Sequence, residues 1–214
     1  MRQIIRSLSR TIRSFSSMVT FPPPPIPPPN TIGVIAAVSP PPHNIFANNN
    51  NEIPWEGLCP IDRKWFKLCV KNSSLVMGRK TWIETQTTMM PGGGVPNCFS
   101  FVITSNPSLL KTPPTVSCAF TSSYEEAVKS ACKLDNPVWV VGGLLPYELA
   151  LQDKRTSTVV LTTVFCTPSL ENEIASISRF PKLDLSKFST TNPSTTWQEP
   201  SGIVCELNVH SALR

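Results

Sequence analysis

The stretch Ile53–Lys67, I-P-W-E-G-L-C-P-I-D-R-K-W-F-K, decides how this chain is read. An extended Ile-Pro-Trp leads into a helix that carries the acid Asp62 at its start, followed within five residues by Trp65, Phe66 and Lys67. A carboxylate among aromatic side chains is poor material for a salt bridge and good material for a buried acid of altered proton affinity. It can hydrogen-bond a flat, nitrogen-rich ring while Phe66, four residues on along the same helix face, packs against that ring. An acid at this position also suits a plain helix N-terminus, where the helix dipole stabilises it.

The neighbouring segments narrow the choice. Thr31–Ser39 (T-I-G-V-I-A-A-V-S) is an apolar run of strand length. Ser74–Trp82 (S-L-V-M-G-R-K-T-W) reads as a buried strand, a glycine, two cations and a Thr opening a helix. Val138–Tyr147 (V-W-V-V-G-G-L-L-P-Y) is a second buried strand, ending in Gly-Gly before a helix. In order and spacing, these segments and Ile53–Lys67 resemble dihydrofolate reductase, from Ile32 to about His210.

Periodicity places strands near Ile32–Val38, Leu75–Met77, Ser100–Thr104, Thr115–Ala119, Val138–Val141 and Thr158–Phe165. Helices are expected near Ile61–Lys71, Arg79–Thr85, Tyr124–Lys133 and Leu144–Leu151. Ser186–Trp197 and Gly202–Val209, joined by the turn Gln198–Gly202, read as a terminal antiparallel hairpin. The alternation implies an α/β fold, a mostly parallel central sheet covered on both faces. The resemblance implies the three-layer dihydrofolate-reductase arrangement.

In open α/β sheets ligands sit at the carboxyl ends of the strands. Gly142-Gly143 allows close backbone approach, and the following helix can offer its amides to a pyrophosphate. Arg79, Lys80 and Ser105 suit the extra ribose phosphate of NADP. A G-x-G-x-x-G fingerprint is absent, so the ordinary Rossmann reading fails, and each glycine pair also suits a plain strand-to-helix turn.

The resemblance implies more. Asp62 would hydrogen-bond the pterin ring and favour protonation at N5, with Thr162 supporting it and Trp55 holding a water near the carboxylate. Ile35, Ala36, Phe66, Met90, Val141 and Tyr147 would form the substrate slot; apart from the resemblance, Lys67, or else Lys64 or Lys71, is placed on the Asp62 helix to reach the glutamate tail. NADPH would be held by Ala37, the Asn44–Asn48 loop with Ile45 and Asn48, Gly78, Arg79, Lys80, Thr81, Thr104, Ser105, and Gly142, Gly143, Leu144, Leu145 and Tyr147. The reaction implied is reduction of dihydrofolate to tetrahydrofolate by hydride transfer to C6, with no metal.

The chain departs from the family pattern in places. From Thr81 to Leu110 it has no Lys, Arg or His, so the arginine that clamps folate's glutamate tail is missing. The loop between Ala37 and Trp55 carries Pro40-Pro41-Pro42 and Asn48-Asn49-Asn50-Asn51. Its usual glycine becomes Asn48, a residue tolerant of positive φ. The missing clamp motivates a second reading, reduction of a tail-less pterin or a riboflavin-pathway pyrimidine. A third is a catalytically decayed binding module.

The formal net charge of +5 is concentrated at the start: Arg2, Arg6, Arg10 and Arg13 all precede the first acid, Glu52. The remainder is near neutral, which argues against a nucleic-acid surface. No apolar run approaches the roughly 20 residues that span a bilayer. The four arginines segregate on a helical wheel from Ile4, Ile5, Leu8, Ile12 and Phe15, the composition of a mitochondrial transit peptide over 1–17. Arg13-Ser14-Phe15-Ser16 resembles a processing site, and Met18 as an internal start would give a cytosolic form. Residues 18–30 read as a Pro-rich spacer and 31–214 as the reductase-like domain, expected to be a monomer. Seven cysteines without a C-x-x-C pair, and only two histidines, favour free thiols and disfavour a zinc site or a Ser-His-Asp mechanism.

Overall fold

A computed structural model of the chain describes residues 21–41, 43–48, 52–86, 95–109, 117–165, 178–191 and 194–213. The first strand, β1 (Ile32–Val38), lies at the centre of a mixed sheet. Its β-branched residues suit a strand enclosed on both faces, and Ile32 and Val34 are fully buried. It pairs in parallel with β6 (Val138–Gly142) and with β7 (Thr156–Phe165). Beyond β6 come β3 (Ser74–Gly78), β4 (Phe99–Ile103) and β5 (Cys118–Thr121), all parallel. On the other side β11 (Val204–Ala212) runs antiparallel to β7 and pairs with both β9 (Phe188–Thr190) and β10 (Thr195–Gln198). A two-stranded sheet, β2 (Ile45–Ala47) with β8 (Ser178–Arg179), stands apart.

Helix α1 (Pro60–Cys69) begins with a proline at its first position, where a missing N–H costs nothing, and buries Ile61, Trp65 and Cys69 along one face. Together with α2 (Arg79–Glu84) it covers one side of the sheet, in a core holding Trp65, Trp82, Trp139 and Trp197. Helix α3 (Tyr124–Ala131) starts where the Ser123 hydroxyl accepts the Glu126 N–H at 3.2 Å. It shares the opposite core with α4 (Leu144–Gln152), through Tyr124, Ala127, Val128, Tyr147 and Ala150. The result is three layers around a mostly parallel sheet, as the alternation of elements implies.

Two expectations need correction. The fifth strand is Cys118–Thr121, not Thr115–Ala119; it pairs in register with Ser100–Ile103 and ends at the Ser122-Ser123 cap of α3 (110–116 lie outside the described residues). The strand expected over Ser186–Trp197 is two short ones, β9 and β10, each pairing with a different end of β11. The small β2–β8 sheet was not anticipated, because strands of two or three residues carry no alternation to read.

The Pro-rich segment also lies on the domain rather than standing clear of it. Phe21 stacks on Trp65 with ring centroids 5.1 Å apart and meets Trp197 edge-on at 5.6 Å. Pro27 is buried over Gly33, where a Cβ would stand 2.7 Å from the proline ring and 2.5 Å from Trp139. Residues 1–20, which include the leader, lie outside the described residues. No helix among the described residues is long and apolar enough to cross a membrane.

Candidate active site

A cavity of about 540 Å³ opens where the carboxyl ends of β1, β3 and β6 meet α1, α2 and the start of α4. Ile35, Ala36, Phe66, Val141 and Tyr147 line it, as do Trp55, Asp62 and Thr162. The sheet brings the last of these into place: Thr162 on β7 stands beside Ala37 on β1, and its hydroxyl hydrogen-bonds the Asp62 side chain.

Asp62 is partly exposed to the cavity and otherwise enclosed by protein. Burial pushes its carboxyl from the ordinary 3.8 up to about 7; the hydrogen bond from Thr162 opposes the rise and the charge of Glu199 adds to it. An acid that titrates near neutral pH, against Phe66 and Ile35, can hold or release a proton at a bound ring.

The far side of the cavity is built for a phosphate-bearing ligand. Gly142 ends β6 at φ +132°, where a Cβ would meet the Thr81 hydroxyl at 3.0 Å, so only a glycine leaves this wall open. The peptide between Gly142 and Gly143 is cis. Gly143 precedes α4 without a side-chain cap, so the first-turn amides of that helix are available to an anion. Gly78, Arg79, Lys80, Thr81, Leu144 and Leu145 complete the lining, with the cations exposed. A bare glycine cradle, open helix amides and two cations fit the pyrophosphate and ribose phosphate of a dinucleotide.

Tyr147 is buried, and its hydroxyl donates to the Ile35 carbonyl at 3.0 Å, joining the start of α4 to β1 beneath the cavity. Burial pushes its phenol further up, so it serves as a fixed hydrogen-bond donor rather than an acid.

Several expected residues sit elsewhere. Ile45 is buried in the core under the cavity; its neighbour Phe46 lines the cavity and meets the Tyr147 ring at 5.5 Å. Asn48 does not take a positive φ. Asn44 does (φ 48°), while the Asn48 side chain accepts the Glu52 N–H at 2.9 Å and donates to its carboxylate at 3.1 Å. Thr104 and Ser105 follow β4, one strand over from Arg79 and outside the cavity lining; the Thr104 hydroxyl accepts the Asn106 N–H at 3.1 Å. Lys67 is exposed on α1 and does not line the cavity. Arg63, one turn earlier, does, and it pairs with Glu56. Met90 lies outside the described residues.

Two carboxylates escaped the sequence reading. Glu84 lines the cavity from α2, accepts the Ile53 N–H at 3.0 Å, and is held above the usual carboxylate range mainly by burial. Glu199, in what read as a plain turn, is buried and accepts the N–H groups of Ile61 and Asp62, each at 2.8 Å. No local signal marks either one, since the backbone amides they accept lie 31 and 137 or more residues away.

Similarity to known proteins agrees with this geometry. A solved structure, dihydrofolate reductase from Enterococcus faecalis complexed with NADP(H) and RAB-propyl, superposes with a TM-score of 0.65 over 87% of this chain and 98% of that one. At 21% identity it shows the shared fold. Dihydrofolate reductase of Aedes albopictus is 30% identical over 102 residues, 44% of this chain and 50% of that protein. Dihydrofolate reductase type 9 of Escherichia coli is 33% identical over 103 residues, 46% of this chain and 52% of that protein. The chain thus spans about half the length of the curated relatives it matches. The family model for dihydrofolate reductase matches residues 31–207, nearly all of the described fold, and the chain belongs to the dihydrofolate reductase family.

Proposed function

We propose that this protein reduces 7,8-dihydrofolate to 5,6,7,8-tetrahydrofolate with NADPH, feeding one-carbon and thymidylate metabolism. The observation that carries the reading is Asp62, an acid titrating near 7 that lines a slot walled by Phe66 and Ile35 and faces a glycine cradle. Family membership supports it, as does the solved neighbour complexed with NADP(H).

When bound, NADPH supplies the hydride that goes to C6 of the substrate. The chain's own residues align the two flat rings and manage the proton. Gly142, Gly143 and the α4 amides would hold the pyrophosphate, while Arg79 and Lys80 would take the ribose phosphate. Ile35, Phe66 and Val141 clamp the pterin and exclude water. Asp62 would hydrogen-bond the ring and favour protonation of N5 from water as C6 gains the hydride, so the C6=N5 double bond becomes single. Thr162 orients the carboxyl, and Trp55 closes that end of the slot.

The test is NADPH oxidation by the purified full-length chain, with dihydrofolate and with a dihydropterin lacking the glutamate tail. Dihydrofolate-dependent oxidation, strongly reduced in Asp62→Asn, is the expected result. Turnover of the tail-less compound alone would overturn the folate assignment, and NADPH binding without turnover of either would overturn the enzyme.

The reading extends to location. Residues 1–17 serve as a mitochondrial transit peptide, initiation at Met18 yields a cytosolic form, and the enzyme works as a monomer. The supporting observation is the acid-free leader with its four segregated arginines. Fusing residues 1–17 to a fluorescent reporter should carry it into mitochondria; a cytosolic reporter would sink this part of the proposal.

A further inference from the structure

Helix α1 lacks the donors' usual partners at its N-terminus. The Cys59 side chain makes no capping hydrogen bond, and Pro60 has no N–H. The first two free amides, those of Ile61 and Asp62, are instead taken by a side chain from the other end of the chain. Ile61 N–H donates to Glu199 Oε2 and Asp62 N–H to Oε1, both at 2.8 Å. The indole N–H of Trp197 donates to Oε1 as well, at 2.9 Å. Three donors thus converge on one carboxylate that is only 3% exposed. The backbone holds it there, because Glu199 N–H donates to the Ile203 carbonyl at 2.7 Å and its own carbonyl accepts the Gly202 N–H at 2.9 Å.

We propose that Glu199 is a positioning residue for the reaction: it caps the catalytic helix from the β10–β11 turn, fixing the first turn that carries Asp62 and holding a negative charge beside it. The proposal deepens the reductase reading and rests on it for its catalytic meaning. A glutamate suits the place better than its amide, because a carboxylate offers only acceptors and all three partners are donors. A glutamine would turn its NH₂ toward at least one of them. The fixed charge opposes ionisation of Asp62, adding to burial and partly offsetting the Thr162 hydrogen bond that favours the carboxylate.

Among the described residues, the other titratable groups around Asp62 are few. Cys59 at the helix start and Cys205 on β11 lie with their sulfurs within 4.8 Å of the Glu199 carboxylate. Cys69 follows on α1 and feels the Asp62 charge, and Arg63 is engaged by Glu56. Both Cys69 and Cys205 are thiols pushed upward, which leaves them neutral. Glu199 is therefore the nearby charge that a substitution can remove.

The experiment is a ¹³C titration of the Asp62 carboxyl in the full-length protein without substrate, assigned by comparison with Asp62→Asn. Glu199→Gln should lower the midpoint by roughly one pH unit, the usual size for removing one nearby like charge. Loosening of the helix would also lower it, so Trp197→Phe is the control: it removes one hydrogen bond and keeps the charge. The proposal expects Trp197→Phe to stay close to wild type. A midpoint that falls equally in both variants, or that does not move in folded Glu199→Gln, overturns it. Should Glu199→Gln not fold, amide exchange in the wild-type chain decides, since first-turn amides normally exchange freely. Slow exchange at Ile61 and Asp62 supports the cap, and free exchange at both overturns it. None of these readouts involves turnover, so a wild-type chain inactive on dihydrofolate would overturn the reductase reading and leave this test standing.

Discussion

An Asp62 carboxyl that titrates near 7 binds a proton in the folded state across a pH range where the unfolded chain has released it. The contribution to stability is therefore complete below the unfolded value near 3.8 and disappears as pH rises through about 7. Above that pH the folded protein carries a buried charge that the unfolded chain solvates freely. Asp62→Asn cannot ionise, so it should be more stable than wild type at pH 8. The gain should be a few kcal/mol, because each tenfold change in proton affinity is worth about 1.4 kcal/mol, and should vanish near pH 4. Thermal melts of both proteins at the two pH values check this; equal differences at both would mean that Asp62 is not held protonated. Thr162 acts in the opposite sense to burial, because its hydrogen bond favours the ionised carboxylate. Thr162→Val should move the high-pH limb of the kcat profile upward by roughly half a pH unit to one. A downward movement would reverse the role assigned to this hydroxyl.

At the scale of the elements, the junction of β6 and α4 is the place where the backbone itself forms the binding wall. Gly142 sits at φ +132°, and a Cβ there would press on the Thr81 hydroxyl at 3.0 Å. Gly142→Ala should weaken NADPH binding at least tenfold, the equivalent of about 1.4 kcal/mol. Fluorescence titration with NADPH checks it, and unchanged affinity would remove this wall from the cofactor site. The junction was legible in the sequence, because a β-branched run ending in Gly-Gly before a helix is a local pattern. So was Asp62, set in the first turn of a helix beside Phe66. The capping of α1 was not legible: a Cys-Pro start carries no cap signal, and the partner lies at a turn 137 residues away. The same limit hid Glu84, whose meaning comes from the Ile53 amide across the cavity. Periodicity reports which face of an element is buried, and it says nothing about which distant side chain arrives to satisfy an orphaned donor.

Across the whole molecule, both ends of the described chain converge on the helix that carries Asp62. The β10–β11 hairpin brings Trp197 and Glu199 to it, and the segment before β1 brings Phe21 onto Trp65 and Trp197. Phe21 thus ties the N-terminal side of the domain to its C-terminal hairpin through two aromatic contacts, each contributing about 0.5–1.5 kcal/mol beyond area burial. Phe21→Ala should cost about 1–2 kcal/mol and lower Tm by roughly 3–6 °C for a domain of this size. A chain starting at Thr31 should melt lower still, because it also uncovers Gly33 and Trp139, where Pro27 packs. Equal melting of wild type and both variants would show that the Pro-rich segment contributes nothing to the fold. The proposed import adds a constraint on where the leader is removed. Processing near Arg13–Ser16 would leave Phe21 in the mature protein, whereas cleavage beyond it would release the aromatic contact from the helix that carries Asp62. Mass spectrometry of the mature N-terminus from isolated mitochondria should therefore find it before Phe21; a terminus after Phe21 would mean the mature protein holds this helix without that contact.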